Sequence, residues 1–278
     1  MHKRPLLSLA LVLVLSAVAA AQVVPTRLPS TFPADVVVPS IPFQPPAQSQ
    51  VLAQFMTTML ANQSLPAAKR AELLAELDAA SGDGGSDQAI TYALVALYPD
   101  LGKALALLAD EQVDESIAVL KTLAQAEDEY LAAHAEYYLA RAAFMTERYE
   151  DALPLLVKLS GPEKAHLTMH AGEALFYRGV CHDRLIERTE AMMCFSTFLQ
   201  QNPDASERLL VGAEHVLAEL ALLAEGSLWD VQNRMDFSRR HLDLEWSGDP
   251  TQQQQRTIIA MLDALIKEAE DKENNAPP

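Results

Sequence analysis

Three stretches of this chain align with one another, and that internal repetition limits the possible folds more than any other feature. They are residues 101–124 (LGKALALLADEQVDESIAVLKTLA), 134–159 (HAEYYLARAAFMTERYEDALPLLVKL) and 175–203 (LFYRGVCHDRLIERTEAMMCFSTFLQQNP). Each reads as helix, short turn, helix, with Thr146 to Tyr149 forming the turn of the second stretch. Ser116, Ala152 and Ala191 correspond, at separations of 36 and 39 residues. Small residues there let two helices approach closely, and Leu156 or Phe195 fills the space beside them. One such unit cannot bury its apolar face alone. Stacked neighbours bury a continuous core, so about three units with caps are the minimum for stability.

The pattern resembles the tetratricopeptide repeat (TPR), a helix-turn-helix of about 34 residues. In the third stretch Gly179 takes the small-residue slot, Ala191 and Phe195 match the second-helix pair, and Pro203 closes the unit. Leu175, Arg178 and His182 stand where the family usually has tryptophan, leucine and tyrosine. The second stretch fits at Ala140, Tyr149, Ala152 and Leu156 but lacks the closing proline; the first fits loosely at Ala104, Ser116 and Leu120. The resemblance covers roughly residues 97 to 204 and implies an all-α fold. That fold would be a right-handed α-solenoid of TPR-like repeats at about 97–130, 133–166 and 172–205, closed by helical caps. It also implies a concave face, formed by the first helices of successive repeats, that takes a peptide or partner segment. Tyr137, Arg141, Phe144, Phe176, Val180 and Asp183 would lie on it. Arg141 suits a carboxylate and the aromatics an apolar side chain. Packing between repeats is the competing role for Phe144 and Phe176.

The flanks are of other kinds. Residues 1–21 have basic Lys3 and Arg4, an apolar run from Leu6 to Val18 and the small residues Ala19 to Ala21. That is the layout of a cleaved signal peptide, and it predicts an exported, periplasmic or secreted protein with no membrane span after cleavage. Residues 22–50 are dense in proline and read as a disordered linker or arm. Residues 51–96 form a helical N-terminal cap, interrupted at SGDGGSD, where Asp83 and Asp87 lack the ligand spacing of a calcium loop. A helical C-terminal cap covers 205–272, ahead of a polar tail at 273–278. In it Asp204 and Asp249 are candidate caps, and the last helix carries an apolar face of Ile258, Ile259, Leu262, Leu265, Ile266 and Ala269. Pro154 falls inside the second helix of its repeat and is expected to bend or shorten it.

No chemistry-bearing motif emerges. A formal charge of −17 argues against nucleic acid, because phosphate binding needs a basic stripe. Cys181 and Cys194 are 13 residues apart and read as small buried apolar residues, with a disulfide as the alternative. His166 and His170 have helical spacing for two imidazoles but no third metal ligand. Nucleophile elbows and phosphate-cradling glycine loops are missing. The sequence therefore predicts no cofactor, no metal, no catalytic residue and no enzyme. It predicts a scaffold or adaptor for a protein or peptide. A secreted enzyme or ligand carrier, or a self-associating envelope component, is the alternative.

Overall fold

The computed structural model describes residues 38–62, 65–82 and 88–275. Residues 1–37, with the signal-peptide pattern, lie outside the described residues, as do Asp83, Asp87 and the last three residues of the tail. The described residues form twelve α-helices and no strand, so the fold is all-α. They are α1 (Gln48–Ala61), α2 (Ala67–Gly82), α3 (Ala89–Leu97), α4 (Pro99–Ala109), α5 (Val113–Leu123) and α6 (Glu129–Met145). Then follow α7 (Tyr149–Leu159), a 3-10 turn (Ala165–Leu167), α8 (Ala171–Arg184), α9 (Arg188–Gln201), α10 (Glu207–Leu222), α11 (Leu228–Asp243) and α12 (Asp249–Asn274). From α4 to α10 each helix packs on the next in chain order, as helices joined by short connections do.

Helix formation follows local chemistry with a few departures from expectation. Ser206 and Gly248, not Asp204 and Asp249, occupy the N-cap positions of α10 and α12. Pro154 neither ends nor divides α7, which runs through it. So near the helix start, its missing N–H deprives only the Glu150 carbonyl of a partner. Within the stretch expected as linker, α1 begins at Gln48, and residues 38–47, which form neither helix nor strand, are bonded to α9 at Ile41 and Phe43.

The two helices of each aligned segment meet through the same turn. The chain leaves the first helix at Glu111 (φ 59°), Glu147 (φ 57°) and Ile186 (φ 64°), all in left-handed backbone. The next N–H in each case donates back into the helix: Gln112 to Leu107 O (2.9 Å), Arg148 to Ala143 O (2.8 Å) and Glu187 to His182 O (2.8 Å). This is a Schellman closure, which satisfies carbonyls that the helix end leaves open. A fourth copy at Glu245 (φ 61°), with Trp246 N–H on His241 O at 2.7 Å, joins α11 to α12.

Beyond each turn the helices nearly touch. Ala104, Ala140 and Gly179 on the first helices and Ser116, Ala152 and Ala191 on the second are all buried. Ser116 Oγ donates to the Ala104 carbonyl at 2.8 Å, so side chain meets main chain directly. A methyl group on Gly179 would lie 3.1 Å from Cys194 Cβ and 3.0 Å from the Phe195 ring. Leu120, Leu156 and Phe195 fill the adjoining space and are fully buried.

Two apolar clusters result. One runs from α1 to α8, and the second joins α8, α9 and α10. Cys181 belongs to the first and Cys194 to the second; both are buried free thiols, as their reading as small apolar residues requires. Burial pushes Cys181 up to about 12 and Cys194 up to about 11, so neither is a nucleophile at neutral pH.

The α11–α12 hairpin is fastened to α7 by a buried charge network. Arg240, 3% exposed, grips both Glu150 oxygens (2.8 and 2.7 Å) and donates to the Glu147 carbonyl at 2.9 Å. His241 Nε2 lies 2.8 Å from Glu150 Oε1, and its Nδ1 lies 2.9 Å from Thr251 Oγ1. Burial acts to raise the Glu150 carboxyl, and the hydrogen bonds from Arg240 outweigh it, holding the group below its ordinary range.

Two stability predictions follow from the turns and the close approach. Exposed Glu111 strains its left-handed backbone by about 1 kcal/mol, partly offset in Glu111→Gly by glycine's larger unfolded freedom, so that change should add about 0.5 kcal/mol in urea denaturation. Glu111→Pro, which also removes the N–H that donates to Leu108 O, should cost about 3 kcal/mol. Gly179→Val should cost about 2 kcal/mol by overpacking against Cys194 and Phe195; an unchanged midpoint would show that the helices are not in contact there.

Candidate functional site

A polar cleft of about 790 Å³ lies between α6, the start of α8, the chain entering α10 and residues 44–47. Asp128 caps α6 by accepting from the N–H groups of Tyr130 and Leu131, which fixes where that helix begins. Tyr137 and Arg141, four residues apart, then share one side of the helix. Glu173 stands opposite, in the first turn of α8.

These three side chains are paired before any ligand arrives. Tyr137 Oη donates to Glu173 Oε2 at 2.6 Å, while Arg141 Nη1 donates to Glu173 Oε1 at 3.3 Å and to Tyr137 Oη at 3.1 Å. The guanidinium also lies 4.8 Å from the centre of the Tyr177 ring. Burial and the charge of Glu173 push the Tyr137 hydroxyl above its ordinary range, so it stays protonated and donates. His170 stacks flat on the Tyr137 ring, 4.1 Å away and 5° from parallel.

A second histidine stands behind the first. His134 and His170 meet edge to face with ring centres 5.7 Å apart. His134 Nδ1–H donates to the Tyr130 carbonyl at 2.9 Å, and His170 Nε2 lies 3.4 Å from Thr91 Oγ1. The remaining ring nitrogens, His134 Nε2 and His170 Nδ1, have no hydrogen-bond partner among the described residues. Burial lowers His134 to about 4 and His170 to about 3, the latter with help from His134 and Arg141, so both imidazoles are neutral at pH 7. His166 sits in the 3-10 turn and does not share a helix with His170. No group of three or more metal-ligating side chains forms among the described residues.

The chain's own N-terminal strap borders this cleft. Ile41 N–H donates to Thr197 Oγ1 at 2.8 Å, Gln201 Nε2 donates to the Phe43 carbonyl at 2.8 Å, and Gln48 Nε2 donates to the Met169 carbonyl at 3.0 Å. Val38 and Ile41 pack on the cluster that holds Phe195, Phe198 and Leu209. None of residues 38–47 is fully buried, so the strap is held by a few specific bonds over a shallow apolar contact.

Of the six residues expected on one binding face, Tyr137 and Arg141 line the cleft. Phe144 instead lies edge-on to Tyr149 and Tyr177, and Phe176 edge-on to Phe195 and Phe198. Val180 is half-buried against the second apolar cluster. Asp183 sits near the far end of α8, in a separate recess with Arg184, Tyr149 and Arg240, where burial raises its carboxyl. Glu173, His170, Thr197 and Gln201 were not legible as site residues.

The two neutral histidines give stability a defined pH dependence. Their folded values lie below the ordinary 6.5, so the unfolded chain takes up protons first as the pH falls. Their contribution is complete above pH 6.5 and is lost on acidification through about 4 and 3, with a limiting slope of about 2.7 kcal/mol per pH unit for two protons. Urea midpoints between pH 7 and about 5 should therefore fall for the native chain and flatten in the His134→Phe, His170→Phe double variant. Equal slopes would place those protons on other groups. Comparison of the chain with protein-family models, with curated proteins and with solved structures gives no match, so the site is interpreted from its own geometry.

Proposed function

We propose that this chain is an exported, non-enzymatic adaptor built on tetratricopeptide-type repeats, and that its cleft receives an extended segment of a partner protein. The observation that carries this reading is the strap itself. A proline-rich stretch, VPSIPFQPPA (residues 38–47), runs beside the cleft with its main chain bonded by Thr197 and Gln201 and its apolar side chains on the helices. That is how a helical scaffold holds an extended peptide: side-chain amides and hydroxyls satisfy the backbone while shallow pockets accept alternate side chains. Proline favours such a ligand because its extended form is already ordered and little freedom is lost on docking.

Three features support binding rather than catalysis. Arg141, Glu173 and Tyr137 are mutually paired, so none of these three is poised as a free acid, base or nucleophile. Both thiols are buried and protonated. The repeated turns and close-approach positions give the stacked helices a regular frame on which a long segment can lie. Export rests on the signal-peptide pattern of residues 1–21.

A test uses the strap as its own ligand. A chain lacking residues 22–47 should bind a fluorescent peptide of residues 38–47 with a Kd on the order of tens of micromolar. The intact chain should bind it at least about tenfold more weakly, because the tethered copy competes at high effective concentration. Thr197→Val with Gln201→Ala should abolish binding while the helical circular dichroism is retained. A strap-deleted, folded chain that ignores the peptide would reject the cleft as a peptide site.

A further inference from the structure

The α11–α12 hairpin carries an apolar face that no other described residues cover. On α11, Phe237, Arg240 and His241 meet the repeats, while Arg234 and His241 bond to residues of α12. At about 100° per residue these contacts occupy one side of the helix. Leu228, Met235 and Leu242, seven residues apart, stand on the opposite side and are 70%, 54% and 49% exposed. On α12, Thr251 and Ile258 face inward. Ile259 and Ile266, again seven apart, are 60% and 57% exposed. Because α12 runs antiparallel to α11, the same rotation brings its two isoleucines to the outward side that carries the α11 stripe.

We infer that this face is a dimer interface and that its occupant is the same face of a second copy. The contacts His241 to Thr251 and Arg234 to Gln254 fix the register of the hairpin. In that register Leu228 lies level with the gap between Ile259 and Ile266, and Met235 lies level with the turn of α12 that precedes Ile259. A second copy turned by half a revolution about an axis parallel to the helices sets α11 of each chain antiparallel to α12 of the other. The two stripes then interleave, residue into gap, in an up-down four-helix arrangement. Heptad spacing on both helices is what such a seam needs, and scattered surface apolars would not supply it.

The size of the face agrees with that occupant. The five side chains expose about 600 Å² per copy, so two copies would bury about 1,200 Å², the lower end of the range for specific interfaces. A lipid surface fits less well, since a chain of net charge −17 is repelled by anionic membranes. The interface lies away from the strap and the cleft, so it stands or falls independently of the peptide-binding reading.

Sedimentation equilibrium of the intact chain at about 10 to 100 µM should give twice the monomer mass, with a dissociation constant in the micromolar range. Met235→Glu with Ile259→Glu should yield monomer at the same concentrations, with unchanged circular dichroism and melting temperature. Leu228→Glu with Leu242→Glu should do the same through the α11 stripe alone. A monomeric native chain across this range would overturn the inference, as would a dimer that survives both double variants. A monomer that instead floats with uncharged phosphatidylcholine vesicles would also overturn it, by assigning the face to a membrane.

Discussion

Everything in the repeat region depends on how closely two helices can approach just beyond their shared turn. At Ser116 the hydroxyl reaches the Ala104 carbonyl itself, and at Gly179 there is no space for even a methyl group without displacement of Cys194 and Phe195. Because the axes are this close, a single large residue beside each contact, Leu120, Leu156 or Phe195, fills the remaining volume. The left-handed turns at Glu111, Glu147 and Ile186 give each pair the same exit from its first helix. None of these residues is glycine, and Ile186 is β-branched. The backbone strain at that site is tolerated because the tertiary contact determines the turn more strongly than local preference does.

The second constraint is ionic. Arg240 is nearly inaccessible, and a buried guanidinium needs all its donors satisfied. Glu150 and the Glu147 carbonyl accept three of its N–H bonds, and both come from the turn and first residues of α7. The rings of Tyr149 and Phe237 lie 5.0 and 5.3 Å from the guanidinium. Such a network adds little net stability over an apolar contact of the same size. What it adds is selectivity, because only one placement of the hairpin pairs every charge. The hairpin therefore docks at one position on the repeats and turns its other side, with Leu228, Met235 and Leu242, outward.

Much of this was legible in the sequence, for reasons that can be given residue by residue. The helices from α4 to α9 and their pairing followed from the periodic apolar positions and from the 36- and 39-residue spacing of Ser116, Ala152 and Ala191. The turns were harder to see, because glycine, the usual mark of a left-handed exit, is missing from all four. The strap was hidden for a related reason: proline density forecasts the absence of helix, and residues 38–47 indeed form neither helix nor strand, but it says nothing about whether such a chain is docked. Thr197 and Gln201 carry no signature of their own. They matter through Ile41 and Phe43, which lie more than 150 positions away in the chain. Phe144 on α6 and Phe176 and Val180 on α8 are half-buried against neighbouring side chains, contacts that register alone does not reveal.

The prior pairing within the cleft also determines what kind of recognition it can perform. Arg141 is already neutralised by Glu173, and Tyr137 already donates to the same carboxylate, so a charged ligand would have to displace an existing bond for each one it made. A neutral extended segment faces no such exchange. In the proposed binding mode its side chains would lie over the aromatic cluster that holds Phe195 and Phe198. Selectivity in such a site comes from backbone shape and from the spacing of apolar residues. The proline-rich strap has both: its main chain is extended at little entropic cost, and Val38 and Ile41 stand three residues apart on the same cluster.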